Sequence, residues 1–135
     1  KKIHDAIPYG KVIWYDSVVE GGSVSWQNEV NDQNIKMYEG SDGILLNYWW
    51  SDRSLKQTAE ILNHDPVAMQ QVFVGIDVFG RSQTAKFHTH ETLKKIKDYN
   101  FSVGIFAPGD FNDDFVKFFR KLTELLCFTL FQKKK

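Results

Sequence analysis

The residues of this sequence best suited to bind a ligand are aromatic rings and polar side chains at the ends of apolar runs. Tyr15 and Asp16 end the first such run, and Trp26 stands with Gln27 after a loop that contains glycine. Flat rings can lie against a sugar or another polyol, and carboxylates or amides can fix its orientation. Rings that only cover a core would give the same composition, so both interpretations stay open on these residues alone.

Three later apolar runs end in residues of the same kind. The second run leads into Asn47, Tyr48, Trp49 and Trp50, the third ends near Asp77, and the fourth ends at residues 107–110. The carboxyl ends of parallel strands meet at one edge of a sheet or barrel. We therefore expect two acids, an amide and several rings to converge on one rim.

The four apolar runs themselves predict the strands that position these groups, because they are rich in β-branched and aromatic residues. The predicted strands are residues 11–15, 43–49, 71–78 and 101–107. They begin at intervals of about 30 residues, which is the length of a strand, a crossover helix and two short loops. The sequence therefore predicts an α/β fold of four βα units. Such a fold is half of a (β/α)8 barrel or most of a five-stranded doubly wound sheet.

The segments between these strands predict helices over residues 26–40, 51–65 and 89–99. Trp26, Val30 and Met37 fall near one face of the first helix. Ser51 is a suitable N-cap for the second helix, in which Leu55, Ala59 and Leu62 give an amphipathic pattern. The final segment, residues 110–135, is expected to form an apolar helix followed by a lysine tail. This last helix either faces the core or covers another part of the protein.

Bulk composition excludes several classes of partner. The chain has 17 basic and 17 acidic side chains, so no net charge draws it to nucleic acid or to an anionic membrane. Its single cysteine, Cys127, cannot form an internal disulfide and is compatible with a reducing compartment. His88 and His90 lack a third ligand, so neither a metal nor a cofactor is expected. We also expect no signal peptide and no membrane span.

Five strings in this sequence, in this order, resemble the family 85 glycoside hydrolases. These are cytosolic endo-β-N-acetylglucosaminidases, which cut between the two core GlcNAc residues of N-linked glycans. The strings are VIWYDS at residues 12–17, SWQN at 25–28, NYWW at 47–50, VGIDVFGR at 74–81 and FSVGIFAPG at 101–109. The resemblance implies that residues 1–109 form strands five to eight of a TIM (β/α)8 barrel. It also implies an N-linked oligosaccharide or glycoprotein as substrate and a location in the cytosol.

The resemblance further implies which residues bind the glycan. Tyr15 matches a tyrosine near the acetamido group of the GlcNAc that is cleaved. Trp26 and the Tyr48-Trp49 pair match rings that line the glycan channel, and Asn47 and Asp77 lie on the same rim.

Family chemistry is retaining and substrate-assisted, and it uses an Asn-x-Glu pair on the fourth barrel strand. The glutamates of this chain are preceded two positions earlier by Val18, Gln27, Met37, Thr58, Thr89 and Leu122. None is asparagine, so no catalytic residue is expected in this chain, and the pair would lie with the missing first half of the barrel. Asn28 and Glu29 are adjacent and form no substitute, because neighbouring side chains on a helix point about 100° apart.

Two rival interpretations remain open. The chain could be a non-catalytic remnant that binds glycans, or a receiver-like signalling domain with Asp16 or Asp77 as phosphoacceptor.

The family also has an aromatic residue where this chain has Asp110. A half-barrel on its own would leave two sheet edges open, so the sequence predicts that the isolated chain self-associates or is partly disordered.

Overall fold

The computed structural model describes residues 2–77, 89–106 and 128–131. The elements in these ranges, in chain order, are α1 Lys2–Ala6, β1 Ile13–Tyr15, α2 Ile35–Glu39, β2 Gly43–Leu46, α3 Asp52–Ile61, α4 Pro66–Gln70, β3 Val72–Asp77, α5 Thr89–Lys97, β4 Ser102–Phe106 and β5 Phe128–Phe131. The first four strands lie within the four predicted apolar runs, and each observed strand is shorter than its prediction.

The strands form one sheet in the order β1-β2-β3-β4-β5, and every neighbouring pair is parallel. Tyr15 lies beside Leu45, Leu45 beside Phe73, and Phe73 beside Ser102. An α/β fold with a parallel sheet is therefore confirmed, and it is compatible with half of a (β/α)8 barrel. We call the carboxyl ends of β1 to β4 the rim.

One face of the sheet is buried against the helices. The buried cluster joins strand residues to residues of α3 and α5, and it includes Ile44, Leu46, Val74, Val103, Ile105, Leu55, Ala59, Leu93 and Ile96. Because side chains alternate along a strand, the opposite face carries Tyr15, Leu45, Asp77 and Phe106. Tyr15 and Phe106 are exposed on this second face. The helices thus cover one side of the sheet, and on the other side two rings are exposed while Phe73, Asp77 and Ser102 are buried.

Helix α3 begins where the sequence predicts. The Ser51 side chain accepts a hydrogen bond from the backbone N–H of Ser54, whose own side chain caps the Ser51 backbone. A cap of this kind contributes about 1 kcal/mol. Leu55, Thr58 and Ala59 form the buried side of the helix, so the predicted amphipathic pattern is confirmed.

The predicted helix over residues 26–40 is mostly wrong, because only Ile35–Glu39 is helical. Residues before it are held by distant partners instead. The Val30 backbone N–H donates to the Thr58 hydroxyl at 3.0 Å, and Asn28 has a φ of 60°, which is incompatible with a right-handed helix. A short helix that the sequence analysis missed, α4, follows the Asp65 N-cap.

The expected helix and lysine tail are also wrong at residues 128–131, which form a strand parallel to β4. Phe-Thr-Leu-Phe combines aromatic and β-branched residues, which favour a strand when a sheet edge is available. The rest of the segment expected to be a helix and tail lies outside the described residues, as does His88. No helix in the described ranges is long and apolar enough to span a bilayer.

Gly75 lies at a position in β3 that has no room for a side chain. A Cβ atom at Gly75 would lie 2.4 Å from the Leu46 carbonyl oxygen and 3.0 Å from the Tyr48 ring. We expect Gly75→Ala to lower the free energy of unfolding by more than about 2 kcal/mol, because backbone cannot move aside as a side chain can. Urea unfolding followed by tryptophan fluorescence measures this loss.

Gly21→Ala is the matched control, because a Cβ there meets nothing within 4 Å. Its stability should stay within about 0.5 kcal/mol of the wild-type value. Equal stability of both variants would contradict the packing of Tyr48 over β3.

Candidate functional site

The centre of the rim is the buried carboxylate of Asp16, which directly follows β1 and is 1% exposed. Its Oδ1 accepts hydrogen bonds from the Gln27 backbone and the Asn34 side chain, both at 3.2 Å. Its Oδ2 accepts from the Asn28 backbone at 2.6 Å and, over a longer 3.5 Å, from the Asn47 backbone. Asp16 therefore joins the segment between β1 and α2 to the end of β2.

This arrangement satisfies the carboxylate with N–H donors instead of a cation. Within residues 2–77 and 89–106, no lysine, arginine or histidine forms an ion pair with Asp16. A buried charge is tolerated when its lone pairs are filled in this way. We call residues 17–34 the rim loop, since Asp16 fixes its second half against the rim.

A chain of side-chain hydrogen bonds runs from the rim loop across the ends of β1 and β2. The Asn28 Oδ1 accepts from the Asn47 Nδ2 at 2.9 Å and from the Trp49 backbone N–H at 3.1 Å. The Asn47 Oδ1 accepts from the Tyr15 hydroxyl at 2.8 Å. Tyr15, Asn47 and Trp49 are thus held in one network, although Tyr15 and Asn47 lie 32 residues apart in sequence.

The environment of Tyr15 keeps its hydroxyl protonated. Partial burial is the main cause that raises the pKa of Tyr15 above its ordinary value of 10.0, and the nearby Asp16 charge raises it further. A hydrogen bond with the Trp26 side chain acts in the opposite direction. At neutral pH the phenol can therefore donate a hydrogen bond to an amide oxygen or to a ligand.

Three of the rings beside this network face solvent. Trp49 is 65% exposed, Trp26 53% and Tyr15 39%. Exposed rings of this size at a rim are suited to stack against the apolar face of a sugar. Tyr48 differs, because its ring packs against Phe106 at a centroid distance of 6.0 Å and an interplanar angle of 56°.

The other predicted rim residues take different positions. Trp50 is buried in the core and donates its indole N–H to the Gly75 carbonyl at 2.7 Å, so its role is structural. Asp77 is buried at the end of β3, on the same face of the sheet as its neighbour Phe106. A small cleft beside Tyr48 is lined by Leu45, Gly104, Ile105 and Phe106.

Sequence reasoning named the rings of the rim but missed what holds them. The sequence indicates Asp16 as a carboxylate at a strand end and Asn28 as part of the SWQN string beside Glu29, and neither pattern predicts the hydrogen bond between them. The polar run from Gln27 to Asn34 was the available signal, since amides crowded beside a strand end favour such a network. No group of three possible metal ligands occurs in the part of the chain that the structure describes.

The parallel sheet and its aromatic, amide-rich rim are typical of α/β proteins that bind their ligand at the carboxyl ends of the strands. The sequence also matches a known family in this class. The model of glycosyl hydrolase family 85 matches residues 1–124. The chain belongs to this family, which confirms the resemblance and extends it beyond Gly109, where the sequence motifs stop.

Named relatives agree with this assignment. A cytosolic endo-β-N-acetylglucosaminidase of Gallus gallus is 39% identical over 110 residues, which cover 80% of this chain and 15% of the chicken protein. The corresponding protein of Danio rerio is 34% identical over 136 residues, covering 93% of this chain and 19% of the fish protein. Cytosolic endo-β-N-acetylglucosaminidase 1 of Arabidopsis thaliana is 38% identical over 111 residues, covering 81% of this chain and 16% of the plant protein. The chain thus spans less than a fifth of these relatives.

The raised pKa of Tyr15 predicts that the stability of the wild type and that of Tyr15→Phe depend differently on pH in the alkaline range. Below pH 10 the phenol is protonated in both the folded and the unfolded chain, so it adds no pH dependence. Above pH 10 the unfolded chain ionises first, so the free energy of unfolding falls until the pH passes the folded pKa. Tyr15→Phe lacks this ionisation, and its stability should fall less between about pH 9 and pH 11.

Chemical unfolding of both proteins across this pH range measures the difference. Tyr38, whose pKa is also raised mainly by burial, is present in both proteins and cancels. Parallel stability curves for the wild type and Tyr15→Phe would show that the Tyr15 hydroxyl is not held at the rim as described.

Proposed function

We propose that this chain is part of the catalytic barrel of an endo-β-N-acetylglucosaminidase, to which it contributes strands five to eight and a glycan-binding rim. The observation that carries the proposal is the network of Tyr15, Asn47, Asn28 and Trp49 at the rim of a family 85 chain. The names of the relatives support the activity, and the word "cytosolic" in these names supports a location in the cytosol.

The substrate would be an N-linked oligosaccharide, free or on a glycoprotein. Trp26 and Trp49 expose rings on which sugar units can stack. Tyr15 and Asn47 offer a hydroxyl and an amide, the groups that can recognise an acetamido substituent by hydrogen bonds. Tyr48 and Asp77 complete the binding rim along β2 and β3.

Hydrolysis would be retaining and substrate-assisted. The 2-acetamido oxygen attacks the anomeric carbon, an asparagine orients and polarises this amide, and a glutamate protonates the leaving sugar. This chain has no Asn-x-Glu, so the pair would come from the strand that precedes β1 in the whole barrel. The task of this chain is then to bind and orient the glycan, with no metal or cofactor.

Two exposed rings on the second face of the sheet and an edge strand support a half-barrel. Tyr15 and Phe106 are exposed there, and among the described residues Ile13–Tyr15 form an edge strand that pairs only with β2. Both features are costly in a finished domain. Strands one to four of a barrel would pair with the edge and cover the face.

A non-catalytic glycan-binding protein is the second candidate, because the rim alone could bind a glycan without the Asn-x-Glu pair. A receiver-like phosphoacceptor fits less well. The Asp16 oxygens already accept four N–H groups, so neither is free to attack a phosphoryl group.

The test is to join the chain to its upstream sequence and to assay the longer protein on a glycan that contains the GlcNAc2 core. We expect Tyr15→Phe to lower kcat at least about tenfold, since its hydroxyl is proposed to meet the reacting acetamido group. Trp49→Ala should raise KM about tenfold through lost stacking. Tyr9→Phe is the matched control, because Tyr9 is 95% exposed and lies outside the rim.

Unchanged rates in both rim variants would contradict these assignments. Glycan binding without hydrolysis by the longer protein would favour the non-catalytic candidate. Phosphorylation of Asp16 or Asp77 by a small phosphodonor would favour the receiver.

A further inference from the structure

Asn28 connects the rim loop to both functional positions that follow β2. Its side-chain oxygen accepts from the Asn47 side chain and from the Trp49 backbone. These two contacts cross 19 and 21 residues of sequence. No other side chain in the described ranges bonds to both positions.

The backbone of Asn28 sets the direction of this side chain. Its φ of 60° lies in the left-handed region, which asparagine adopts more readily than most residues other than glycine. Its N–H donates to the buried Asp16 at 2.6 Å, the shortest of the four hydrogen bonds to that carboxylate. Asp16 therefore holds the conformation that aims the Asn28 amide at β2.

The Asn28 oxygen also determines how the Asn47 amide is turned. Because the Asn47 Nδ2 donates to Asn28, its Oδ1 faces the Tyr15 hydroxyl. Without the Asn28 acceptor the Asn47 amide could rotate, and the Tyr15 hydroxyl would lose the oxygen that accepts its hydrogen bond. The same loss would release the Trp49 backbone, which has its side-chain partner in Asn28.

We propose that Asn28 is a positioning residue for glycan recognition. It fixes the Asn47 amide and the backbone that carries the Trp49 ring, and Asp16 holds Asn28 in place. The proposal rests on the proposed function, because it names what makes the rim ready to bind the core GlcNAc units.

The test compares two substitutions at one position. Asn28→Gly keeps the left-handed backbone and removes the acceptor, whereas Asn28→Asp keeps an acceptor oxygen at the same place. Asn63→Gly is the matched control, because Asn63 is exposed, has a φ of 51° and lies outside the rim. All three are made in the longer protein that includes the upstream sequence, because the 135-residue chain alone is expected to self-associate or to be partly disordered.

The first readout needs no ligand. Tryptophans labelled with 5-fluorotryptophan give one ¹⁹F signal each, and Trp49→Phe identifies the signal of Trp49. We expect Asn28→Gly to shift or broaden this signal while Asn63→Gly leaves it in place. Asn28→Asp should restore most of the wild-type position.

The second readout is the affinity for N,N′-diacetylchitobiose by isothermal titration. Asn28→Gly should bind about tenfold more weakly, the effect of losing roughly one net hydrogen bond. Asn28→Asp should recover most of this affinity, and Asn63→Gly should bind as the wild type does.

An Asn28→Gly protein with the wild-type Trp49 signal would overturn the proposal, as would a shifted signal with unchanged affinity. If Asn28→Gly did not fold, Asn28→Asp would decide the matter, since a loss of affinity in a folded Asn28→Asp protein also overturns the proposal. If the wild type bound no sugar, the proposed function would fail. The fluorine signals would then still show whether Asn28 positions Trp49.

Discussion

The rim of this protein depends on one buried carboxylate whose oxygens are filled by N–H groups. Asp16 is placed by β1, and its hydrogen bonds reach the rim loop at Gln27, Asn28 and Asn34 and the end of β2 at Asn47. Removing the acceptor would take this partner from four buried or partly buried N–H groups, at a cost of about 1 to 3 kcal/mol for each one left unpaired. The positions of the exposed rings follow from this anchor, because the loop that carries Trp26 and the residue that holds Trp49 are both tied to it.

The packing of the sheet fixes the strand end that carries Asp16. Its helix-covered face contains the buried cluster of Ile44, Leu46, Val74 and Val103, so the strand ends are fixed by packing on that side. The opposite face exposes the rings of Tyr15 and Phe106. A rigid scaffold with polar groups at the strand ends is the arrangement in which α/β proteins bind ligands. Membership of glycosyl hydrolase family 85 agrees with such a binding edge.

Much of the frame could be predicted from sequence, because local patterns decide it. Apolar β-rich runs located β1 to β4, and Ser51 with Leu55 and Ala59 located α3. The rim loop could not be predicted as easily. Trp26, Val30 and Met37 have helical spacing, but bonds to Asp16 and Thr58 hold residues 27–30 in another conformation.

In the candidate site, too, the sequence predicts which residues take part but not the contacts between them. The sequence motifs predict Tyr15, Trp26, Asn47 and Trp49 as members of one rim. In the structure Tyr15, Asn47 and Trp49 share one network, and the Trp26 carbonyl accepts a long hydrogen bond from the Asn28 side chain. Which amide holds which ring depends on contacts between residues that are about 20 to 30 positions apart, and spacing alone does not encode such contacts. Trp50 illustrates the limit, since it shares the motif with Trp49 and yet lies in the core.

A crystal structure of the longer protein with a bound GlcNAc2-containing glycan would test the central claim most directly. The account predicts sugar rings stacked on Trp26 and Trp49, with an acetamido group within hydrogen-bonding distance of Tyr15 or Asn47. A glycan bound at another edge of the sheet, with these four side chains free of sugar, would contradict it.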